Sequence, residues 1–295
     1  DRLDESRKAL NDVICRMGAK DWRRLGERVR ASGLGGYVFK VLESAGQGMV
    51  PQWFLDDRRR DYHSNLYAAM ILRMLYKSFV KNMEHEGVEL IPLKGIDLIE
   101  SLYADAGWRS LGDVDVLVRD GDVDRADRIL EQSGFHVDSP ELKERYRRYH
   151  FHYHYKADFE GHTLPLELHW RVAGTFLENM DYEKLWTSGS EKVHGKNSGD
   201  RVLKPIYLFV VLALHAANHG YRISEKWLMD LFLLAKKKLR LEDLPETIKL
   251  IEDNRSKRAV YLIASMVENF FKSVSYTHLR AHETVLDLVC RLLLE

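Results

Sequence analysis

Two aspartates one residue apart, Asp113 and Asp115, open the apolar run Val114 to Val118. In an extended strand successive side chains point to opposite faces, so both carboxylates project the same way while Val114 and Val116 pack behind them. At strand spacing, about 6–7 Å, two such anions repel each other unless a cation sits between them. Hard oxygen donors of this kind suit magnesium, which keeps several waters and also takes phosphate oxygens from a substrate. A lone Asp-X-Asp is more often a solvated turn or a salt-bridged edge. Context raises it here. A loop containing Gly107 and Gly112 precedes the pair, and a later segment reads Leu166-Glu167-Leu168-His169-Trp170. In that strand Glu167 and His169 share one face, so Glu167 can supply a third carboxylate from a neighbouring strand. A seat of this kind suits two-metal phosphoryl chemistry.

His150, His152 and His154 alternate along another extended segment, with His169 on the strand beside it. Imidazole suits zinc, so a histidine-based metallohydrolase is one reading. No cysteine or spacing motif strengthens it, and histidine and aromatic packing near the mouth of a site is the plainer expectation. His215 and His219 stand four apart on one helix face, the spacing of a metal pair, but without the Glu of a His-Glu-X-X-His motif. Trp170 and Trp227 read as core residues rather than base-stacking platforms. The run Lys236-Lys237-Lys238 with Arg240 reads as the solvated end of a helix, favoured there by the helix dipole.

The elements that must position these groups follow from periodicity. From Asp1 to about Glu86 the pattern is helical; Ala68, Leu72, Leu75 and Phe79 make one buried stripe, and Pro51, after Gly46 and Gly48, starts a new helix. Val88 to Leu93 suits a short strand with Pro92 at an edge or strand end. Lys94-Gly95 leads into a helix over 96–103. The Asp113–Val118 strand follows, then a helix over 123–132 with Gly134 at its C-terminal cap. Phe151 to Phe159 alternates, Glu160-Gly161 turns, and Leu164 to Val172 returns as a hairpin partner. Beyond Ala173 helices are expected over 205–217, 227–238, 245–251 and 259–271. The expected class is α+β: a small mixed-sheet core over 87–175 between an N-terminal helical lobe, 1–86, and a C-terminal one, 176–273.

The strings Leu93-Lys94-Gly95, Trp108-Arg109-Ser110-Leu111-Gly112-Asp113-Val114-Asp115 and Glu167-Leu168-His169-Trp170 resemble, in that order, the uncharacterised nucleotidyltransferase family of the polymerase-beta-like superfamily. Leu214-His215-Ala216-Ala217-Asn218-His219-Gly220 and Lys226 to Leu231 are similar to that family's C-terminal helices. The resemblance covers about Trp22 to Ala235. It implies transfer of a nucleoside monophosphate from an NTP such as ATP to a hydroxyl on a small molecule, peptide or protein, with pyrophosphate leaving. Asp113, Asp115 and Glu167 would then be catalytic and hold two magnesium ions, with manganese as the alternative. Glu167 would help deprotonate the acceptor. Lys94, the backbone at Gly95, Arg109 and Gly112 would bind the nucleotide, and His169, His215, His219 and Asp230 would lie on the acceptor side. The alternative within the same fold is a nucleotide-binding or regulatory module that turns over poorly, as in one half of a toxin–antitoxin-like pair.

Composition sets outer bounds. The 295 residues are 45% hydrophobic and 31% charged, an ordinary globular balance. Lys+Arg and Asp+Glu both number 45, which argues against a sequence-independent grip on nucleic acid or anionic lipid. No apolar run reaches the roughly 18 residues of a membrane span. Two cysteines, Cys15 and Cys290, make a disulfide framework an unsuitable expectation and a reducing cytoplasm the default. The start lacks an initiator Met, which reads as a fragment. Residues 274–295 resemble a translated sequencing adapter in two blocks, Val274 to Thr284 and Leu288 to Glu295, so that stretch is expected to be non-native and its histidines and cysteine carry no functional reading.

Overall fold

The computed structural model of the chain describes residues 2–45, 48–174, 179–192, 201–220 and 223–274. Gly46, Cys290 and residues 275–295 of the adapter-like tail lie outside them. Among the described residues no helix is long and apolar enough to cross a membrane. The chain forms two compact units, one of residues 1–71 with 99–112 and one of residues 72–98 with 113–295.

The helices α1 (Arg2–Ile14), α2 (Ala19–Ser32), α3 (Gly35–Ala45) and α4 (Gln52–His85) come first, and the division between the units falls inside α4. Pro51 immediately precedes α4, as its fixed φ and missing N–H favour. In the first unit Ile14, Trp22, Leu42, Val50 and Phe54 form one apolar cluster, with the Trp22 and Phe54 rings edge to face at 4.8 Å. Residues 99–112 belong to this unit through specific polar bonds. Tyr62 donates its hydroxyl to Asp105 (2.9 Å), Asn65 donates its amide to the Gly107 carbonyl (3.0 Å), and the Ser110 N–H reaches the Gly33 carbonyl (3.0 Å). A Cβ at Gly36 would stand 1.8 Å from the Gly107 carbonyl oxygen, so only glycine permits that approach.

The second unit is built on a mixed five-stranded sheet. Its elements in chain order are β1 (Leu90–Pro92), α5 (Ile96–Leu102, shared between the units), β2 (Val114–Val118), α6 (Val123–Gln132), β3 (Phe135–Val137), α7 (Lys143–Tyr149), β4 (His152–Phe159) and β5 (His162–His169). The sheet order is β1-β2-β5-β4-β3, which puts Pro92 on an edge strand where its missing N–H is harmless. β2 and β5 run parallel, and the other neighbours are antiparallel. The β4–β5 hairpin turns at Glu160 (φ 49°) and Gly161 (φ 76°), two left-handed residues in a row as a tight primed turn demands. β2 is buried on both faces, as its near-continuous valine and leucine run implies.

Beyond the sheet come α8 (Tyr182–Thr187), the strand pair β6 (Ser190–Lys192) and β7 (Arg201–Leu203), then α9 (Pro205–Asn218), α10 (Glu225–Lys238), α11 (Leu244–Asp253) and α12 (Lys257–Val274). Helix α9 is apolar around most of its circumference because α10, α11 and α12 all pack on it. The four helices expected over 205–271 are all present. Short elements escape the periodic reading: β3, α7, α8 and the β6–β7 pair. The structure is the α+β class expected, a mixed sheet with helical regions.

Candidate active site

Strand register assembles the site. Asp115 on β2 stands beside Glu167 on β5, which stands beside His154 on β4; two residues further along β5, His169 stands beside His152. The period of two puts all five side chains on one face of the sheet. The opposite face carries Val114, Val116, Leu166, Leu168, Tyr153 and Tyr155, all buried. Asp113 lies one residue before β2 and reaches the same cluster. Donor atoms of Asp113, Asp115 and Glu167 all fall within 4.8 Å of one another.

Lys94 enters from the end of β1, where the Leu93 N–H still donates to the Asp115 carbonyl (3.1 Å). Its ammonium sits 2.8 Å from Asp115 Oδ1 and 3.8 Å from Glu167 Oε2. His169 Nε2 lies 3.3 Å from Asp115 Oδ1 and 3.1 Å from Glu167 Oε2. Asp115 is 1% exposed, and its second oxygen, Oδ2, is buried without a hydrogen-bond partner. An orphaned carboxylate oxygen among converging acids is the donor a divalent cation completes. The set therefore fits a hard metal ion.

The charges tune one another. Burial, reinforced by the Asp115 carboxylate and opposed by Lys94, pushes Asp113 up to about 6. Glu167 moves the other way: burial works to raise it, but the hydrogen bond and charge of His169 and the charge of Lys94 hold it far below the usual carboxylate range. For Lys94 burial opposes the charge, yet Asp115, Glu167 and Asp113 outweigh it and its value is raised. His169 is raised by the same logic, through its bonds to Asp115 and Glu167. His152 is held low by burial and by the neighbouring His169 and His154, so it stays neutral.

From α9 and α10 a second group faces these charges. His215, His219 and Trp227 form a ring cluster with centroids 4.6–4.9 Å apart. Burial and then the positive charge of Lys94 lower both histidines, and Asp115 acts on both in the opposite sense. Lys226 acts on Asp113.

A family model described as an uncharacterised nucleotidyltransferase matches residues 18–272. The chain belongs to that nucleotidyltransferase family. Curated proteins yield no match. In this chain, family membership coincides with a carboxylate cluster that could hold a metal ion.

The structure brings together Lys94, Asp113, Asp115, Glu167 and His169. Gly95 follows Lys94 with a left-handed φ of 67° that turns the chain into α5. Arg109 and Gly112 belong to the first unit, where Arg109 is 3% exposed and donates to the Ser110 carbonyl (3.2 Å). Asp230 is buried within α10. Trp170 is core, packed on Tyr153 with the Arg147 guanidinium over its ring, whereas Trp227 is only half-buried. His150 requires a correction: it is not on the strand with His152 and His154. It ends α7, its N–H bound to the Tyr146 carbonyl (2.8 Å). Sequence reasoning also missed that Lys94 pairs with the carboxylates themselves. Spacing along the chain carries no signal for that contact, because it depends on β1 lying antiparallel beside β2.

Proposed function

We propose that this chain moves a nucleoside monophosphate from a nucleoside triphosphate to a hydroxyl acceptor and releases pyrophosphate. The observation that carries the reading is the convergence of three carboxylates with one buried oxygen of Asp115 unpartnered. Family membership supports it independently. Asp113, Asp115 and Glu167 would hold magnesium, which when bound offsets phosphate charge and favours the ionised acceptor hydroxyl.

The acceptor oxygen forms a bond to the α-phosphorus, the bond from that phosphorus to the bridging oxygen breaks, and its electron pair leaves with pyrophosphate. The acceptor's proton would pass to a carboxylate of the cluster, and Glu167 is the one the family resemblance assigns to that task. Lys94 is bound to Asp115 and has a flexible four-carbon stem, so an incoming phosphate competes for its ammonium. His215, His219 and Asp230, with Trp227, supply groups on the acceptor side. The sheet and helices contribute fixed placement, which is most of what phosphoryl transfer asks of a protein.

A second reading, a module that holds nucleotide and turns it over poorly, draws on the same Lys94 contact, since an ammonium already neutralises the acids. One experiment separates the two. The purified chain is incubated with magnesium, each labelled NTP and cell extract, and pyrophosphate and labelled product are measured. Magnesium-dependent release that Asp115→Asn abolishes supports transfer; unchanged release in that variant sinks the assignment. Tight nucleotide binding without release supports the module.

A further inference from the structure

The carboxylates do not use up the metal-binding chemistry of this face. Donor atoms of His152, Glu167 and His169 also lie within 4.8 Å of one another. His154 adjoins them, its Nε2 2.9 Å from His152 Nε2 and its Nδ1 3.5 Å from Glu167 Oε1. His152 and His169 are 8% and 2% exposed, and each keeps a buried Nδ1 with no hydrogen-bond partner.

The geometry points to a second cation site, held by His152, His169 and Glu167 with His154 as the fourth donor, that takes a borderline divalent transition metal such as zinc. Ligands held tetrahedrally on zinc at about 2.0–2.1 Å stand on the order of 3.3 Å from one another. The 3.1 Å between His169 Nε2 and Glu167 Oε2 and the 2.9 Å between the Nε2 atoms of His152 and His154 approximate two such edges, with one donor atom from each residue. Imidazole nitrogens select this class of metal over magnesium, which prefers oxygen and retains its waters. Glu167 presents Oε2 toward Lys94 and His169 and Oε1 toward His154, so one carboxylate can serve both sites. The inference goes beyond nucleotidyl transfer: besides Glu167, which the two sites share, its donors are three imidazoles that the transfer reading does not use as ligands.

Cobalt(II) is the probe. The chelator-treated full chain is titrated with Co2+ and followed by visible absorption and by paramagnetically shifted imidazole resonances. One equivalent is expected to give the intense bands of a four-coordinate nitrogen–oxygen site, to persist in millimolar magnesium and in Asp113→Asn, and to be displaced by zinc. His152→Gln should weaken binding by more than the roughly 10–100-fold that loss of an outer-shell partner costs. His154→Gln, at a half-exposed position, should weaken it about tenfold or more. If His152→Gln fails to fold, shifted imidazole resonances in the unaltered chain carry the test. Weak six-coordinate bands that magnesium displaces, or affinity unchanged by both histidine variants, overturn the proposal. Pyrophosphate release is scored separately with magnesium alone, so failure of either reading leaves the other standing.

Discussion

Neighbouring carboxylates in this cluster carry opposite linkage to stability. Asp113 is raised from 3.8 to about 6, so across that window the folded chain holds a proton that the unfolded chain has lost. Stability therefore falls as pH rises from about 4 to 6, by about 3 kcal/mol at most, and stays reduced above it. Asp113→Asn, in metal-free buffer, is expected to melt higher than the unaltered chain at neutral pH and equally at about pH 3, while losing transfer activity. A variant that melts lower at neutral pH would contradict this. Glu167 has the reverse sign: its contribution is present above the ordinary value of 4.5 and fades as pH falls toward its depressed folded value. Glu167→Gln should thus destabilise at neutral pH, and thermal melts across pH compare the two directly. Lys94→Ala leaves buried acids without their cation and should cost about 3–5 kcal/mol, with added magnesium restoring much of the melting temperature. Failure of magnesium to restore it would mean the acids do not chelate. The grouping of the three carboxylates was legible in part, because the Asp-X-Asp spacing and the Glu167–His169 alternation each put two polar groups on one side of an extended segment, whereas the β2–β5 register that joins them is not written in spacing. Lys94 was legible as a nearby cation but not as their partner, since a contact across β1 and β2 leaves no trace in spacing.

Among the elements, the β4–β5 hairpin does the most positioning, because its register sets Glu167 beside His154 and His169 beside His152. The turn tolerates little change. Gly161→Val forces a branched side chain to φ 76°, where the steric cost is on the order of 1–2 kcal/mol. Its expected signature is a lower melting temperature together with weaker metal affinity, read by titration calorimetry; a full melting temperature would show that the turn is soft. Leu168→Ala, at a fully buried position behind the carboxylates, should cost about 2–5 kcal/mol in chemical denaturation. Long periodic helices and the Glu160-Gly161 turn were readable because each declares itself locally. Helix α7 was not: Lys143 to Tyr149 is charged and aromatic without an apolar stripe, and it is held by tertiary bonds. Lys143 pairs with Asp127, Arg147 with Asp120 (2.9 Å), and the Arg147 guanidinium covers Trp170 at 5.0 Å. Its presence moves His150 off the strand. The β6–β7 pair is equally silent, being three residues a side.

Taken whole, the chain passes between its two compact units at 71–72, 98–99 and 112–113. The first unit is therefore discontinuous, and its helices depend on a segment that arrives later. A fragment of residues 1–86 lacks Asp105 and Gly107, the acceptors for Tyr62 and Asn65. That fragment should show helical circular dichroism without a cooperative melt, whereas addition of residues 99–112 restores buried partners; a sharp melt of the short fragment would show that the unit is self-sufficient. Composition spoke to this scale only in outline, since balanced charge and ordinary hydropathy are shared by countless architectures. The parallel pairing of β2 with β5 has a consequence for biosynthesis. Neighbours in that pair lie on either side of two helices, an edge strand and the first strand of the hairpin, so the ribosome must deliver all of them before Asp115 meets Glu167. A prematurely terminated polypeptide ending anywhere ahead of the hairpin's return strand lacks Glu167 and His169, so on the proposed reading its carboxylate cluster is completed only when that strand joins the sheet.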